Sequence, residues 1–94
     1  MFVLALEVDV HITHSRSLKD KRGVIRSIVD GARNRYHVAA AEVGDENLWQ
    51  RAQLGFAAVS NSQRHTTEVI DEVSRFVWSF PEIDVLGESR TWLS

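Results

Sequence analysis

The segment Arg16–Tyr36, RSLKDKRGVIRSIVDGARNRY, decides the fold, because it joins a helix-start signal to an apolar stripe. The run S-x-x-D from Ser17 to Asp20 is typical of a capping box, in which the serine oxygen and the acid satisfy the first free amides of a helix. At 100° per residue, one apolar set falls within an arc of roughly 140°. Its members are Leu18, Val24, Ile25, Ile28, Val29 and Ala32. The segment is therefore predicted to be an amphipathic helix with one buried side.

The same segment concentrates the positive charge of the chain. It holds seven of the eleven basic residues and two of the thirteen acids, in a protein of net charge −2. Four of the basic side chains share a neighbouring arc about 60° wide and form a predicted ridge about 21 Å long. They are Lys19, Arg22, Arg26 and Arg33. Such a row suits backbone phosphates, whereas a solvated face with Asp30 paired to Arg26 is the alternative.

Strand signals lie on both sides of this helix, and a second amphipathic pattern follows them. The predicted strands are Phe2–Ile12, Val38–Val43, Arg51–Ser60 and Ile83–Leu93, the last interrupted at Gly87. A second helix is predicted to start after Ser60-Asn61-Ser62 and to run to about Ser79, where Pro81 ends it. The order β-α-β-β-α-β predicts one α+β, ferredoxin-like domain over residues 1–94. A four-stranded antiparallel sheet would carry both helices on one face, with the first and last strands adjacent.

Composition excludes several classes of function. The chain has no cysteine, so a disulfide framework and thiolate chemistry are excluded. No apolar run approaches a membrane span, and the strand pattern starts at Phe2 without a signal peptide before it, so a cytoplasmic protein with no membrane partner is expected. The pI of about 6.0 makes any nucleic-acid binding local.

The most enzyme-like pattern is Glu7-x-Asp9-x-His11, followed by His14. Alternation places the first three on the open face of the sheet, where acid–base or metal chemistry is conceivable. An exposed polar strand face, paired with Glu88 and Arg90 across the sheet, explains the pattern equally well. No glycine-rich phosphate loop, nucleophile elbow or H-E-x-x-H motif is present. We therefore predict no enzyme, no catalytic residue, no cofactor and no metal.

The tryptophans leave further alternatives open. Trp49 either stacks on a base or seals its hairpin against the core. Trp78 lies opposite the buried stripe of the second helix and either folds onto Phe80 or contacts another subunit. Trp92 is expected on the open sheet face with Leu86, so a homodimer is a second hypothesis. The central-strand positions on which many ferredoxin-like RNA binders stack bases hold no aromatic residue here. RNA binding is therefore expected through the helix ridge and the loops.

Several sequence blocks resemble the YlxP-like family of small bacterial proteins, a domain of unknown function. The blocks are SLKDKR at Ser17–Arg22, RNRY at Arg33–Tyr36, AEVG at Ala41–Gly44, LWQRAQLG at Leu48–Gly55 and VSN at Val59–Asn61. Where many relatives read D-L-W, this chain has Asn47-Leu48-Trp49, which removes one acid from the hairpin turn.

The resemblance implies a ferredoxin-like fold and a role near the ribosome or its RNA, because genes of this family tend to lie beside those for transcription elongation, translation initiation and ribosome maturation factors. It supplies no enzyme activity or cofactor. The expected partners are RNA or a ribosomal subunit, with the Ser17-capped helix start accepting one further phosphate. The predicted nucleic-acid-binding residues are Arg16, Ser17, Lys19, Lys21, Arg22, Arg26, Arg33, Trp49, Gln50 and Arg51.

Overall fold

The chain folds in the element order that its sequence predicts. The computed structural model describes residues 1–94 and contains four strands and two helices. Their bounds are β1 Phe2–Ile12, α1 Leu18–Tyr36, β2 Ala39–Gly44, β3 Arg51–Ser60, α2 Gln63–Trp78 and β4 Ile83–Trp92. The strands form one antiparallel sheet in the order β2-β3-β1-β4, so the first and last strands are adjacent. The predicted ferredoxin-like α+β fold is confirmed.

The core lies between one face of the sheet and the two helices. Alternate residues of β1, from Leu4 to Ile12, are buried, and so are alternate residues of β3, from Ala52 to Ala58. They pack against the buried sides of the helices, formed by Ile25, Ile28, Val29, Ala32, Ile70, Val73 and Val77. Because strand side chains alternate between faces, the odd-numbered residues of β1 lie on the other face, which no element covers.

A β-bulge reverses the faces that the sequence predicts for the second half of β4. The pairing of β4 with β1 shifts between Asp9 and Val10, where Leu86 has no partner in β1. An extra residue changes the phase of the alternation beyond it. Glu88, Arg90 and Trp92 consequently lie opposite Val8, Leu6 and Leu4, on the helix-covered side. Their predicted position on the open face is wrong.

The two helices occupy different parts of the covered face. α1 packs on the edge strand β2, and α2 packs on β1 and β3 and reaches β4. The helices meet where Gly31 of α1 faces the ring of Phe76 in α2. Arg22 and Arg26 lie on the opposite side of α1 from Gly31, so they point away from α2, past the outer edge of β2. Neither helix has an apolar stretch long enough to cross a membrane.

Candidate nucleic-acid interface

Three exposed cations follow the outer side of α1. Lys19, Arg22 and Arg26 are spaced by three and four residues, which places them on one side of a helix. None of them forms an ion pair with a carboxylate of this chain. From Lys19 to Arg26 the row is about 10 Å long at 1.5 Å per residue. We call these three residues the α1 ridge.

Arg33, the predicted fourth member of the row, is bound by the protein itself. Its Nη2 donates to the carbonyl oxygen of Ala40 in β2 at 2.6 Å, and its Nη1 lies 3.4 Å from Asp30 Oδ1. The guanidinium therefore covers part of the free edge of β2, a position that otherwise invites pairing with another strand. Asp30 pairs with Arg33 and not with Arg26. The alternative of an Asp30–Arg26 ion pair is therefore wrong, and Arg26 has no ion-pair partner.

Lys21, which was predicted to bind nucleic acid, is buried in the structure. Its side chain is only 1% exposed, and its Nζ lies 2.8 Å from Glu42 Oε2 in β2. The same Nζ donates to the carbonyl oxygen of Asp45 at 2.5 Å. The prediction that Lys21 contacts an external phosphate is wrong, because its ammonium group is buried against a carboxylate. Its role is to hold the first turns of α1 against β2 and the loop that follows.

That loop, Asp45–Gln50 between β2 and β3, is here called the hairpin loop. Gln50 Nε2 donates to the carbonyl oxygen of Ser15 at 3.1 Å, and the Gln50 carbonyl accepts from the Ile12 amide at 2.8 Å. These contacts place Trp49, Gln50 and Arg51 beside the start of α1, although Ser15 and Gln50 lie 35 residues apart in the chain. The structure thereby brings together the two groups of predicted site residues that were separate in the sequence.

The start of α1 already holds a carboxylate. Ser17 Oγ accepts from the Asp20 amide at 3.1 Å, and Asp20 Oδ2 accepts from the Arg16 amide at 3.1 Å. The predicted Ser17 cap is thus confirmed. The expectation that this helix start binds a phosphate is not supported, because Asp20 already places a negative charge there. The side chain of Arg16 is exposed and forms no ion pair. Arg16 stays a candidate contact, whereas the Ser17 hydroxyl is used internally.

The hairpin loop carries a shallow surface cavity of about 560 Å³. Its lining is contributed by Asn47, Leu48, Trp49, Gln50 and Arg51. Trp49 is 56% exposed, so the expectation that it seals the hairpin against the core does not describe its position. Arg51 is exposed without an ion pair. The sequence did not indicate a cavity at this place, although the spacing L-W-Q-R placed an aromatic ring, an amide and a cation in succession.

The other two tryptophans are engaged within the chain. The Trp78 indole N–H donates to Glu88 Oε2 at 3.2 Å and does not pack on Phe80, whose ring meets Phe76. Trp92 packs edge-on against Phe2 with ring centroids 6.3 Å apart. The open sheet face therefore does not include Trp92, and the tryptophan basis of the homodimer hypothesis is weakened.

The acidic pattern of β1 forms no compact chemical site. Glu7, Asp9 and His11 share the open face, and His11 Nδ1 lies 3.7 Å from Asp84 Oδ2 across the sheet. Their expected partner Arg90 is instead bound to Asp71 of α2 at 2.6 Å. No group of three or more histidine and acidic side chains is placed to hold a metal ion. His14 lies in the turn after β1 with a left-handed backbone, at φ 61°.

Taken together, these features define a ferredoxin-fold domain with a cationic helix side and a braced, partly apolar hairpin loop. Residues 3–90 match the family model described as "Protein of unknown function (DUF503)", and the chain belongs to that family. It is 38% identical to the uncharacterized protein YlxP of Bacillus subtilis (strain 168) over 86 residues, which is 92% of this chain and 94% of that protein. The resemblance to YlxP-like proteins is confirmed.

A solved structure supports the fold independently of sequence. The chain is similar to a de novo designed protein with a ferredoxin fold, whose structure was determined by solution NMR. The TM-score is 0.57 at 10% identity, and the match covers all of this chain and 87% of the designed one. At that identity the similarity concerns the fold alone.

Proposed function

We propose that this protein is a non-enzymatic accessory factor that binds RNA, free or within a ribosomal subunit, in the cytoplasm. The contacts to phosphates come from the α1 ridge, with Arg16 and Arg51 beside it. The observation that carries the proposal is the division among the cations. Lys21, Arg33, Arg64 and Arg90 are ion-paired within the chain. Seven cations are exposed and unpaired, and five of them are the α1 ridge, Arg16 and Arg51. The other two are Arg35, which lies over the ring of Phe76, and Arg75 in the last turn of α2.

Charge distribution explains why the binding is confined to this surface. The chain has a net charge of −2, so a polyanion is repelled by most of the surface and attracted only where cations outnumber acids. Cations on a helix contact phosphates without reading sequence, and each contact releases counterions from the nucleic acid. The resemblance to a family whose genes lie beside those of ribosome and translation factors favours RNA as the polyanion.

The test is a charge reversal that keeps the fold. The double variant Arg22→Glu/Arg26→Glu should abolish co-sedimentation with ribosomal subunits and gel-shift binding to RNA at low salt. Both side chains are exposed and make no contact that supports the core, so circular dichroism should be unchanged.

A matched control separates local from overall charge. Arg64→Glu/Arg75→Glu changes the net charge by the same amount on exposed positions of α2. It should leave binding within about twofold of the native protein. Equal loss in both double variants would point to net charge alone, and unchanged binding in the α1 variant would end the proposal.

A second candidate function is self-association through the open sheet face. At the end of the sheet nearest Met1 this face is small and apolar, and Val59, opposite Val3, is 63% exposed. Ala5, Ala57 and Ala39 continue the surface across three strands. A flat, uncharged patch of this kind can pack on the same patch of a second copy about a two-fold axis.

A further inference from the structure

We infer that the nucleic acid bound here is single-stranded, and that one unstacked base lies against the Trp49 indole in the hairpin cavity. The inference rests on the proposed function and specifies its ligand. The α1 ridge alone would accept the phosphates of a duplex or of a single strand, because both present the same backbone chemistry. The hairpin cavity distinguishes them, since only an unpaired base exposes its ring face to a side chain.

Trp49 is the one tryptophan of this chain whose indole is free. Its ring pairs with no other aromatic residue and with no cation, and its N–H makes no hydrogen bond within the chain. Trp78 is exposed to a similar extent, 59%, but its N–H is bound to Glu88. An exposed, unpartnered indole is typical of surfaces that receive a ligand.

The exposure of Trp49 arises in a braced loop. At the first residue of the loop, the Asp45 carbonyl oxygen accepts a hydrogen bond from Lys21 Nζ. At the last residue, Gln50 Nε2 donates to the carbonyl oxygen of Ser15. Within the loop the Leu48 amide donates to the Asp45 carbonyl at 3.0 Å. The loop is thus tied at both ends to the segment that begins α1. The backbone that carries Trp49 therefore loses little freedom on binding, which favours stacking.

The chemistry around Trp49 suits a nucleotide. Arg51 supplies a free guanidinium for a phosphate or a base edge, and the Asn47 amide offers both a donor and an acceptor. The cavity is shallow and open to solvent, which suits a base that stacks by one face and does not enclose a whole ligand. The open sheet face offers no substitute platform, because Ala5, Glu7 and Asp9 lie opposite Ala57, Gly55 and Gln53.

The experiment compares one RNA sequence in two forms. Fluorescence anisotropy measures the Kd of a labelled 12-nucleotide single strand and of the same sequence as a blunt duplex. Trp49→Leu should weaken single-strand binding about tenfold or more, since a base–aromatic stack is lost. Duplex binding should change less than twofold. Trp49→Phe, which keeps an aromatic face, should retain most of the single-strand affinity, and Trp78→Leu should leave both ligands unaffected.

A second readout does not depend on replacing Trp49. In the variant Trp78→Phe/Trp92→Phe, Trp49 is the only tryptophan, and a stacked base should quench its fluorescence. Single-stranded RNA should quench in proportion to binding, and duplex should not.

The outcomes separate the inference from the proposed function. If neither RNA form binds the native protein, both fall. If both forms bind with equal affinity and Trp49→Leu changes neither, or if the bound single strand leaves Trp49 fluorescence unchanged, the single-strand inference is overturned while RNA binding by the α1 ridge stands.

Discussion

Lys21 Nζ lies 2.8 Å from Glu42 Oε2, in the contact between α1 and β2. The lysine is 1% exposed and the glutamate side chain 21%, so the pair is shielded from water on the lysine side. Glu42 reaches α1 because it pairs with the buried Leu54, on the helix-covered face of β2. The same ammonium group binds the Asp45 carbonyl and so connects the core contact to the hairpin loop. This relationship joins the stability of the fold to the shape of the proposed site.

Glu42→Leu is expected to destabilise the protein by about 3 kcal/mol, because the buried Lys21 ammonium loses its counter-charge. Replacing both partners, in Lys21→Met/Glu42→Leu, should recover much of that loss, since no unpaired charge remains. Urea unfolding followed by circular dichroism measures both values.

The pair Arg64–Glu68 provides the comparison, since its side chains are 90% and 56% exposed. Glu68→Leu should change the free energy of unfolding by less than about 1 kcal/mol. If Glu42→Leu cost no more stability than Glu68→Leu, the buried pairing of Lys21 with Glu42 would be incorrect.

The slope of log K against log salt for RNA binding is expected to report how many phosphates the α1 ridge contacts. Each phosphate contact to a single strand contributes about 0.7 to the slope of log K against log salt. Arg22→Gln and Arg26→Gln should each reduce the slope by about that amount, measured by anisotropy titrations at four or more salt concentrations.

Arg75→Gln is the matched control for the slope, because Arg75 is also exposed and unpaired but lies on α2. Its slope should equal that of the native protein. A reduced slope for Arg75→Gln, with no change for Arg22→Gln, would move the interface away from α1.

Two glycines of α1 should respond to alanine with opposite signs. A Cβ at Gly31 would lie 2.5 Å from Phe76 Cζ, in a ring that also packs on Tyr36 and Phe80. Gly31→Ala is therefore expected to destabilise by about 1–3 kcal/mol through overpacking. Thermal unfolding measures the change.

Gly23 is exposed, and a methyl group added at its Cα would have no neighbouring atom within 4 Å. Gly23→Ala should stabilise by about 0.5–1 kcal/mol, the difference in helix propensity. An equal gain from Gly31→Ala would contradict the close contact between the helices.

Self-association through the open face predicts a native dimer whose mass depends on Val59. Val59→Lys places a charge in the apolar patch, and it should convert the dimer to a monomer in light scattering while the fold is kept. Arg75→Lys, a conservative change on α2, should leave the mass unaltered. A native protein that stays monomeric as its concentration is raised would remove this second function.

Much of the architecture follows from local patterns. The alternation in β1, the capping run before α1 and Pro81 after α2 each act through neighbouring residues, and they predicted the element order without tertiary information. The cations of α1 were also visible from helical periodicity. Even the burial of Lys21 had a signal, because it lies four and seven residues before Ile25 and Ile28. Lysine is rarely buried without a partner, and the partner Glu42 is brought beside Lys21 only by the fold.

What the sequence by itself determined is the set of strands and helices and the gathering of positive charge on one helix, because these depend on spacing along the chain. Only the tertiary structure decided which cations remain available, which face the end of β4 presents, and that the hairpin loop lies beside the start of α1. Those outcomes depend on contacts such as Lys21 with Asp45 and Gln50 with Ser15, and on a single extra residue in β4. Contacts between distant residues and the phase of a strand after a bulge arise only when the elements pack together.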